Sequence, residues 1–338
     1  MSRLAFLAAP VVLVTSAWLT YLALRFASLR GILDIPNERS SHTAKTPRGG
    51  GIAIVATMTL ASAVLTWQGV LSGRLFAALA CGGIAVAVIG YLDDRHRLRA
   101  GWRLGVHLVS AVWAVGCVGG LQVVQIGERL VHAGWFGTAL AVLGVVWVLN
   151  LFNFMDGIDG LAASEALFVC GAAALLTGST QVGVPSAAWV FACACGGFLC
   201  WNWPPARVFL GDVGSGYLGY VTIVLALADS RDHPAAIWTW FILGALFFVD
   251  ATLTLLRRLF RGEKVTEAHR QHAYQRLARR WGRHLPVTAG VIAVNLLWLF
   301  PLAFLASAHP KQASTLALIA ATPLLLVSVF LGAGRREN

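Results

Sequence analysis

Long apolar runs, separated by short polar or glycine-rich connections, dominate the pattern along the chain. A helix that crosses a bilayer needs roughly 20 consecutive apolar residues, and somewhat fewer where its polar ends reach the interface. Glycine and other small residues weaken the signal near residues 50, 186 and 213. We expect an all-α polytopic membrane protein that forms one integral membrane domain, 1–338. The pattern predicts about eleven transmembrane helices, which begin near residues 5, 50, 75, 104, 136, 162, 186, 213, 234, 287 and 313.

Basic residues are distributed unevenly between the two sides of the predicted bundle. With the N-terminus outside, 21 of the 26 lysines and arginines fall on the cytoplasmic side. Cytoplasmic loops of membrane proteins carry such an excess. The sequence therefore predicts an outside N-terminus, a cytoplasmic C-terminus and an odd number of spans. The first apolar run, from Leu4 to Phe26, ends without a typical cleavage site and is expected to remain as the first helix.

The composition agrees with a membrane protein. Hydrophobic residues make up 58% of the chain, and charged residues make up 12%, about half the charged fraction of a soluble domain. A formal net charge of +11 could indicate nucleic-acid binding. The one-sided distribution of the basic residues explains this charge, so we expect no nucleic-acid partner. The six cysteines lie in apolar stretches without metal-ligand or disulfide spacing and are interpreted as small buried hydrophobic residues.

Five aspartates mark the cytoplasmic ends of three predicted spans: Asp93, Asp94, Asp156, Asp159 and Asp212. Acidic residues near the hydrocarbon are costly and usually functional. The five aspartates lie on the same side of the membrane only if the N-terminus is outside. The distribution of the basic residues indicates this same topology without reference to the aspartates. Asp93 and Asp94 are neighbours on a helix and point about 100° apart, which favours two different tasks over one shared set of ligands. A polar helix end that pairs with nearby arginines is the structural alternative.

Two glycine-containing motifs contain the other three aspartates. If the segment 153–160 is helical, Asn153, Asp156 and Asp159 lie on one face, and its glycines allow a phosphate or another backbone to approach closely. In the segment 202–215, Asn202 precedes two prolines, and Asp212 follows a glycine at the start of a span. A carboxylate in that position could bind a hydrated Mg²⁺ ion, although a simple helix cap is the alternative.

Two polar loops supply cations that could bind phosphate groups. Lys45 and Arg48 precede three consecutive glycines whose backbone amides could also bind an anion. His269 and His272 lie among arginines in the last long loop and could contact phosphate oxygens. A flexible glycine loop and a solvated basic face explain these two segments equally well.

In their order along the chain, these motifs resemble the polyprenyl-phosphate N-acetylhexosamine-1-phosphate transferases, a superfamily that includes phospho-MurNAc-pentapeptide translocase. The resemblance extends from the loop at 42–51 to the histidine loop near 269 and is most specific at Asp93-Asp94, 153–160 and 202–215. It implies that Asp93 and Asp94 handle the lipid phosphate, one of them as a candidate base, and that Asp212 binds Mg²⁺. It further implies contacts with the nucleotide, metal or phosphates for Asn153, Asp156, Asp159, Asn202 and Lys45.

The reaction implied by the resemblance transfers N-acetylhexosamine-1-phosphate from a UDP-sugar to polyprenyl phosphate, expected to be undecaprenyl phosphate, and releases UMP. The implied cofactor is Mg²⁺, with Mn²⁺ as an alternative. The lipid phosphate would attack directly or after an aspartyl-phosphate intermediate. This would be the initiating step of O-antigen or another cell-envelope glycan, at the cytoplasmic face of a bacterial inner membrane. A homodimer is compatible with the sequence.

The last loop departs from the pattern of the superfamily. His269 and His272 are followed by Ala273 and Tyr274, where the superfamily usually has a denser histidine motif. This departure resembles the O-antigen-initiating branch and argues against the peptidoglycan enzyme. The implied sugars are N-acetylglucosamine, N-acetylgalactosamine or a deoxy derivative such as N-acetylfucosamine or N-acetylquinovosamine.

Three other classes of membrane protein fit the sequence less well. A transporter would place its binding groups near the middle of the membrane, often at repeated broken helices, whereas the aspartates here lie at one interface. A CDP-alcohol phosphotransferase would continue Asp-Gly-x-x-Ala-Arg, but this chain has Asp156-Gly-Ile-Asp-Gly-Leu. A purely structural membrane protein would leave the clustered aspartate, asparagine and glycine residues unexplained.

Overall fold

A computed structural model describes residues 2–34, 45–96, 98–177, 183–264 and 269–336 of the chain. Two short antiparallel hairpins pair β1 (Leu33–Asp34) with β2 (Thr46–Pro47) and β3 (Val123–Ile126) with β4 (Arg129–His132). Short π-helical turns at Ala78–Gly82 and Asn295–Leu299 join α3 to α4 and α13 to α14. The α-helices are α1 (Arg3–Leu29), α2 (Ile52–Trp67), α3 (Gly73–Ala77), α4 (Gly83–His96), α5 (Ala100–Val118), α6 (Gly134–Met155), α7 (Leu161–Leu176), α8 (Gly183–Asn202), α9 (Asp212–Asp232), α10 (Ala236–Leu243), α11 (Ala245–Phe260), α12 (Ala273–Trp281), α13 (Leu285–Val294), α14 (Phe300–Ala308) and α15 (Ala313–Phe330).

Each of the eleven predicted spans coincides with a helical segment. Within the described ranges, eight segments are long and apolar enough to cross a membrane, and α10 with α11 gives a ninth if this pair, bent by 75°, is one span. Helices α2 and α7 have 16 residues each, and at 1.5 Å per residue they are about 24 Å long, shorter than the hydrocarbon core of roughly 30 Å. The predicted fold class is confirmed, whereas the count of eleven and the orientation stay predictions.

The outer surface of the bundle is apolar, as expected for a protein that faces lipid. Leu7, Val14, Leu143 and Leu318 each expose more than 60% of their surface. In water such a surface would drive association, but in a bilayer it meets lipid chains. The composition noted above therefore reflects apolar residues on both the inside and the outside of the bundle.

Helix α9 lies at the centre of the bundle. Of its most apolar 18-residue stretch, 94% is buried, and α2, α4, α6 and α7 pack around it. Two glycines let other backbones reach its first turn. A Cβ atom at Gly90 of α4 would lie 2.3 Å from the carbonyl oxygen of Asp212, and one at Gly51, before α2, would lie 2.4 Å from the Cα of Gly214. No side chain fits at such distances, so these glycines bring the polar ends of α4 and α9 and the loop before α2 together.

Candidate active site

The carboxylate of Asp94 joins the end of α4 to the beginning of α9. Its Oδ1 accepts a hydrogen bond from the backbone N–H of Asp212 at 3.1 Å, and its Oδ2 accepts one from that of Val213 at 3.3 Å. The first amides of a helix have no partner within the helix, and negative charge is favourable there. Asp94 therefore caps α9. The alternative prediction that Asp212 is a simple cap is wrong, because its carboxylate faces two arginines instead.

Two arginines connect the carboxylates of this cluster. Arg48 places Nε 2.9 Å from Asp94 Oδ1 and Nη2 2.9 Å from Asp212 Oδ1. Arg103 pairs through Nη1 with Asp93 Oδ2, and the same nitrogen lies 3.5 Å from Asp212 Oδ2. Asp93 and Asp94 thus have different partners, as expected for neighbours on a helix. Burial lowers the pKa of the Arg48 guanidinium, but the nearby carboxylates of Asp212, Asp94, Asp34 and Asp156 together outweigh burial and raise it above its usual value.

The segment 153–160 is not one helix, contrary to the condition under which its polar residues would share a helical face. Helix α6 ends at Met155, Asp156 follows as its C-terminal cap residue, and Gly160 adopts a φ of +73° immediately before α7. Glycine and aspartate are poor helix formers, which explains the break. Asn153, Asp156 and Asp159 nevertheless line the same polar cavity.

This polar cavity has a volume of about 240 Å³ and lies beside Asp212. Burial raises the pKa of Asp156 well above its usual range; Arg48 lowers it, and the nearby charges of Asp212, Asp94 and Asp159 raise it further. A cation in the cavity would relieve this repulsion between carboxylates. The predicted site residues that line the cavity are Arg48, Asn153, Asp156, Asp159, Asn202 and Asp212.

The donor set fits a magnesium ion that a substrate helps to hold. Across the described ranges, no group of three or more His, Cys, Asp or Glu side chains could hold a metal ion by itself. Mg²⁺ usually takes one or two protein carboxylates and completes its shell with water and phosphate oxygens. The carboxylates of Asp212 and Asp156 on the cavity wall offer this kind of partial ligand set.

Asp159 and Asn202 are already engaged by other parts of the cavity wall. Asp159 Oδ2 accepts a hydrogen bond from the N–H of Ala206 at 3.0 Å and lies 3.1 Å from Nδ1 of His284. Asn202 Oδ1 accepts from the N–H of Gly160 at 3.0 Å, and its Nδ2 donates to the carbonyl of Val208 at 2.9 Å. These bonds tie the loop after α6 to the loop before α9, so Asn202 positions the walls of the cavity.

We expect Asn202→Ala to destabilise the protein by about 1–3 kcal/mol for each of the two buried backbone groups that it leaves without a partner. A lower midpoint of thermal unfolding in detergent would show this effect. Asn150→Ala is the matched control, because Nδ2 of Asn150 bonds the carbonyl of Val146 within its own helix. Equal midpoints for the two variants would contradict the role of Asn202.

Three predicted binding residues lie outside the polar cavity. Lys45 is exposed and lies immediately before β2, and the histidine at position 42 in the same motif lies outside the described residues. His272 is buried, with Nδ1 3.5 Å from Asp250 Oδ1, and the ring of His269 is 4.9 Å from that of His272. Substrate contacts of Lys45, His269 and His272 therefore stay predictions.

Four further residues belong to the site but were not singled out from the sequence. Asp34, Gln275 and His284 line the cavity, and Arg103 pairs with Asp93 and Asp212. Arg103 comes ten residues after Asp93, in the first turn of the next helix, so a search for cations near the aspartate pair could have found it. His284 carries no such signal, because 125 residues separate it from Asp159.

Comparison with known proteins identifies the family. The model of glycosyl transferase family 4 matches residues 76–229, which include α4 and most of α9. A Bacillus subtilis protein named as a probable undecaprenyl-phosphate N-acetylglucosaminyl 1-phosphate transferase is 31% identical over 276 residues, which cover 79% of this chain and 75% of that protein.

Two other relatives show how far the similarity reaches. The decaprenyl-phosphate N-acetylglucosaminephosphotransferase of Mycobacterium tuberculosis is 30% identical and covers 86% of this chain and 80% of its own length. The phospho-N-acetylmuramoyl-pentapeptide-transferase of Moorella thermoacetica is 31% identical over 65% of this chain and 75% of its own length. The chain therefore belongs to glycosyl transferase family 4, the superfamily of polyprenyl-phosphate N-acetylhexosamine-1-phosphate transferases, and is a multi-pass membrane transferase.

Proposed function

We propose that this protein transfers N-acetylhexosamine-1-phosphate from a UDP-sugar to undecaprenyl phosphate and releases UMP, with Mg²⁺ as cofactor. The observation that carries the proposal is the convergence of Asp93, Asp94 and Asp212 with Arg48 and Arg103 beside a polar cavity. These residues come from three distant parts of the chain. Two phosphate-bearing substrates repel each other, and the two arginines and a divalent cation are suited to offset that repulsion.

The bonds at the two adjacent aspartates favour direct attack by the lipid phosphate on the β-phosphorus of the UDP-sugar. Asp94 accepts three N–H groups, from Arg48, Asp212 and Val213. Asp93 accepts one from Leu98 at 2.7 Å and one from Arg103. Carboxylates engaged in this way are suited to orient arginines rather than to form a covalent phosphate. The lipid phosphate, with a second pKa of about 6 by analogy with phosphoserine, needs little help from a base at neutral pH.

In this mechanism the nitrogens of Arg48 and Arg103 turn from the carboxylates toward phosphate oxygens when the substrates bind. A guanidinium fork suits both kinds of partner, because carboxylate and phosphate oxygens have matching spacing. When bound, Mg²⁺ would neutralise the charge that develops on the leaving UMP, and Asp212 with Asp156 would hold it. Asn153 lines the cavity near them, and its Nδ2 donates to Ser215 Oγ at 2.9 Å.

An apolar groove next to the acidic cluster suits the prenyl chain. It has a volume of about 830 Å³ and lies between α1, α2 and α4. Asp34 and Arg48 line both this groove and the polar cavity, and Asp93 and Asp94 lie at its polar end. A lipid with its chain in the groove would place its phosphate at Arg48. The nucleotide sugar would then bind in the polar cavity, where Gln275 and His284 provide polar side chains.

We expect Ala56→Trp, which fills part of this groove, to raise KM for undecaprenyl phosphate by about tenfold and to leave KM for the UDP-sugar within about twofold. Ala56 is partly exposed on the groove wall, so the added ring would not require space in the core. Ala139→Trp, on the outer face of α6, is the matched control. Unchanged lipid kinetics in the groove variant would show that the chain binds elsewhere.

The donor assay tests the proposed function directly. Purified protein is incubated with Mg²⁺, undecaprenyl phosphate and each of several UDP-N-acetylhexosamines, and the lipid product is identified by mass. We expect UMP release with a mass increase equal to one N-acetylhexosamine phosphate. The departure at His272-Ala273-Tyr274 favours the O-antigen-type donors. The excess of lysine and arginine on one side of the predicted bundle favours the cytoplasmic face of a bacterial inner membrane as the location of the site. Release of UMP without a lipid-linked product, or no reaction with any donor, would refute the proposal.

A further inference from the structure

The segment 331–336, which follows α15, folds back onto α11 and α12. It also contacts the loop between these two helices, here called the last loop. The N–H of Gly334 donates to the carbonyl of Gln271 at 2.8 Å, and Arg257 Nη1 donates to the carbonyl of Ala333 at 2.7 Å. Arg276 of α12 donates through Nη2 to the carbonyl of Arg335. Ala333 is fully buried. Three backbone groups of this segment are therefore bound by the last loop and the helices on either side of it.

Glycine is required for the segment to pack this closely. Gly332 and Gly334 have φ values of +76° and +72°, which side chains rarely adopt. A Cβ atom at Gly334 would lie 2.9 Å from the carbonyl oxygen of Thr254 and 3.0 Å from the Cβ of Arg257. The segment thus lies directly against the backbone of α11, and a larger residue at position 334 would push it away.

An ion pair adds to the same contact. Glu263, in the loop after α11, lies 3.0 Å from Nε of Arg336, 3.0 Å from Nε of Arg261 and 3.2 Å from Nε of Arg258. Hydrogen bonds from Arg261 and Arg336 lower the pKa of Glu263 to about 2. The carboxylate therefore stays charged at every physiological pH. It holds the side chain of Arg336 beside Glu263, near the beginning of the last loop.

Helix α12 in turn forms part of the wall of the polar cavity. Asp250 Oδ1 and Oδ2 accept the N–H groups of Ala273 and Tyr274 at 2.9 and 3.2 Å, which fixes the start of α12. The hydroxyl of Tyr274 donates to the carbonyl of Phe154 at 2.9 Å, and Gln275 lines the cavity. A Cβ atom at Gly157 would lie 2.2 Å from the Tyr274 hydroxyl oxygen, so α12 directly touches residues 156–160 between α6 and α7, the Asp156 loop.

From these contacts we infer that segment 331–336 is a positioning element that fixes α12, and with it Gln275 and the Asp156 loop, at the UDP-sugar end of the site. The inference rests on the proposed function for its kinetic consequence. Asp250 and Phe154 hold the first turn of α12, and the carbonyl of Arg335 holds the next turn through Arg276. Without the segment, Arg276 loses its bond to the carbonyl of Arg335, and the second turn of α12 can shift relative to the cavity.

Gly334→Val tests the inference, because valine combines a strained φ with a clash against α11. We expect KM for the UDP-sugar to rise about tenfold while KM for undecaprenyl phosphate stays within about twofold, since a small displacement of a positioning group weakens binding at that group alone. Gly127→Val is the matched control: Gly127 also has a positive φ, of +61°, but a Cβ there would meet nothing within 4 Å.

A second readout separates failure of this inference from failure of the proposed function. Hydrogen exchange of the α12 amides reports local opening and needs no substrate; we expect Gly334→Val to speed it about tenfold relative to Gly127→Val. If Gly334→Val does not fold, Arg257→Met removes the bond to Ala333 and should give the same pattern, which Arg257→Lys should partly reverse. Exchange and KM values equal to the control would overturn the inference. Faster exchange with no reaction in the unmodified protein would instead overturn only the proposed function.

Discussion

Asp212→Ala is expected to lower Mg²⁺-dependent release of UMP by about 10³-fold or more while the protein still folds. Asp212 stands where α4, α9 and the loop before α2 meet, and both Arg48 and Arg103 contact its carboxylate. The substitution removes the proposed metal ligand and one partner of each arginine. Its backbone N–H, which Asp94 binds, remains, so the start of α9 should keep its structure. Steady-state UMP release across a range of Mg²⁺ concentrations would measure the loss.

Asp232→Ala provides the matched control for this experiment. Asp232 is the last residue of the same helix, is exposed, and lies about 30 Å from Asp212 at 1.5 Å per residue. This variant should keep its activity. Circular dichroism and thermal unfolding of both variants would establish that each retains the fold. Full activity of a folded Asp212→Ala protein would refute both the metal assignment and the central role of the acidic cluster.

Arg48→Lys should lower kcat by about 10²-fold, although the charge is retained. The guanidinium of Arg48 reaches two carboxylates at once through Nε and Nη2, each at 2.9 Å. A lysine ammonium is a single point of donation on a flexible stem and cannot bridge Asp94 and Asp212 in this way. If Arg48 also binds phosphate oxygens during the reaction, the loss should appear in kcat as well as in KM.

Arg231→Lys is the corresponding control, because Arg231 is an exposed arginine near the opposite end of α9. It should leave both kinetic constants unchanged. An Arg48→Lys enzyme that matches this control would mean that a single positive charge is sufficient at position 48. The fork geometry proposed for phosphate binding would then be wrong.

The positions of the helices could be predicted from the sequence because a helix that crosses a membrane needs an apolar run about as long as the hydrocarbon core is thick. All eleven runs correspond to helical segments, even where glycines weaken the pattern, as in α2 and α9. The 75° bend between α10 and α11 could not be predicted in the same way. The hydropathy of a segment does not depend on whether its helix axis is straight or bent. Gly244, which lies between α10 and α11, is compatible with either arrangement.

The identity of the acidic cluster was also predictable, but most of its pairings were not. Asp93, Asp94 and Asp212 stood out because acidic residues are few in this chain and are costly near the hydrocarbon. Their partners depend on contacts between residues far apart in the chain, such as Arg48 with Asp212, and nothing in the spacing specifies them. The same applies to His284, which contacts Asp159. For segment 153–160, the helical alternative failed because its glycines and aspartates favour a turn over a continued helix.

The space around Gly90 shows that the backbone of α4 lies against the backbone of α9 at Asp212. Because no side chain takes part in this contact, the residues on the outer face of α4 can change identity without altering the separation between the two helices at this point. Substitutions on the lipid-facing side of α4 are therefore expected to leave the acidic groups of this protein in place. Any side chain at position 90, in contrast, would have to push α4 away from the first turn of α9.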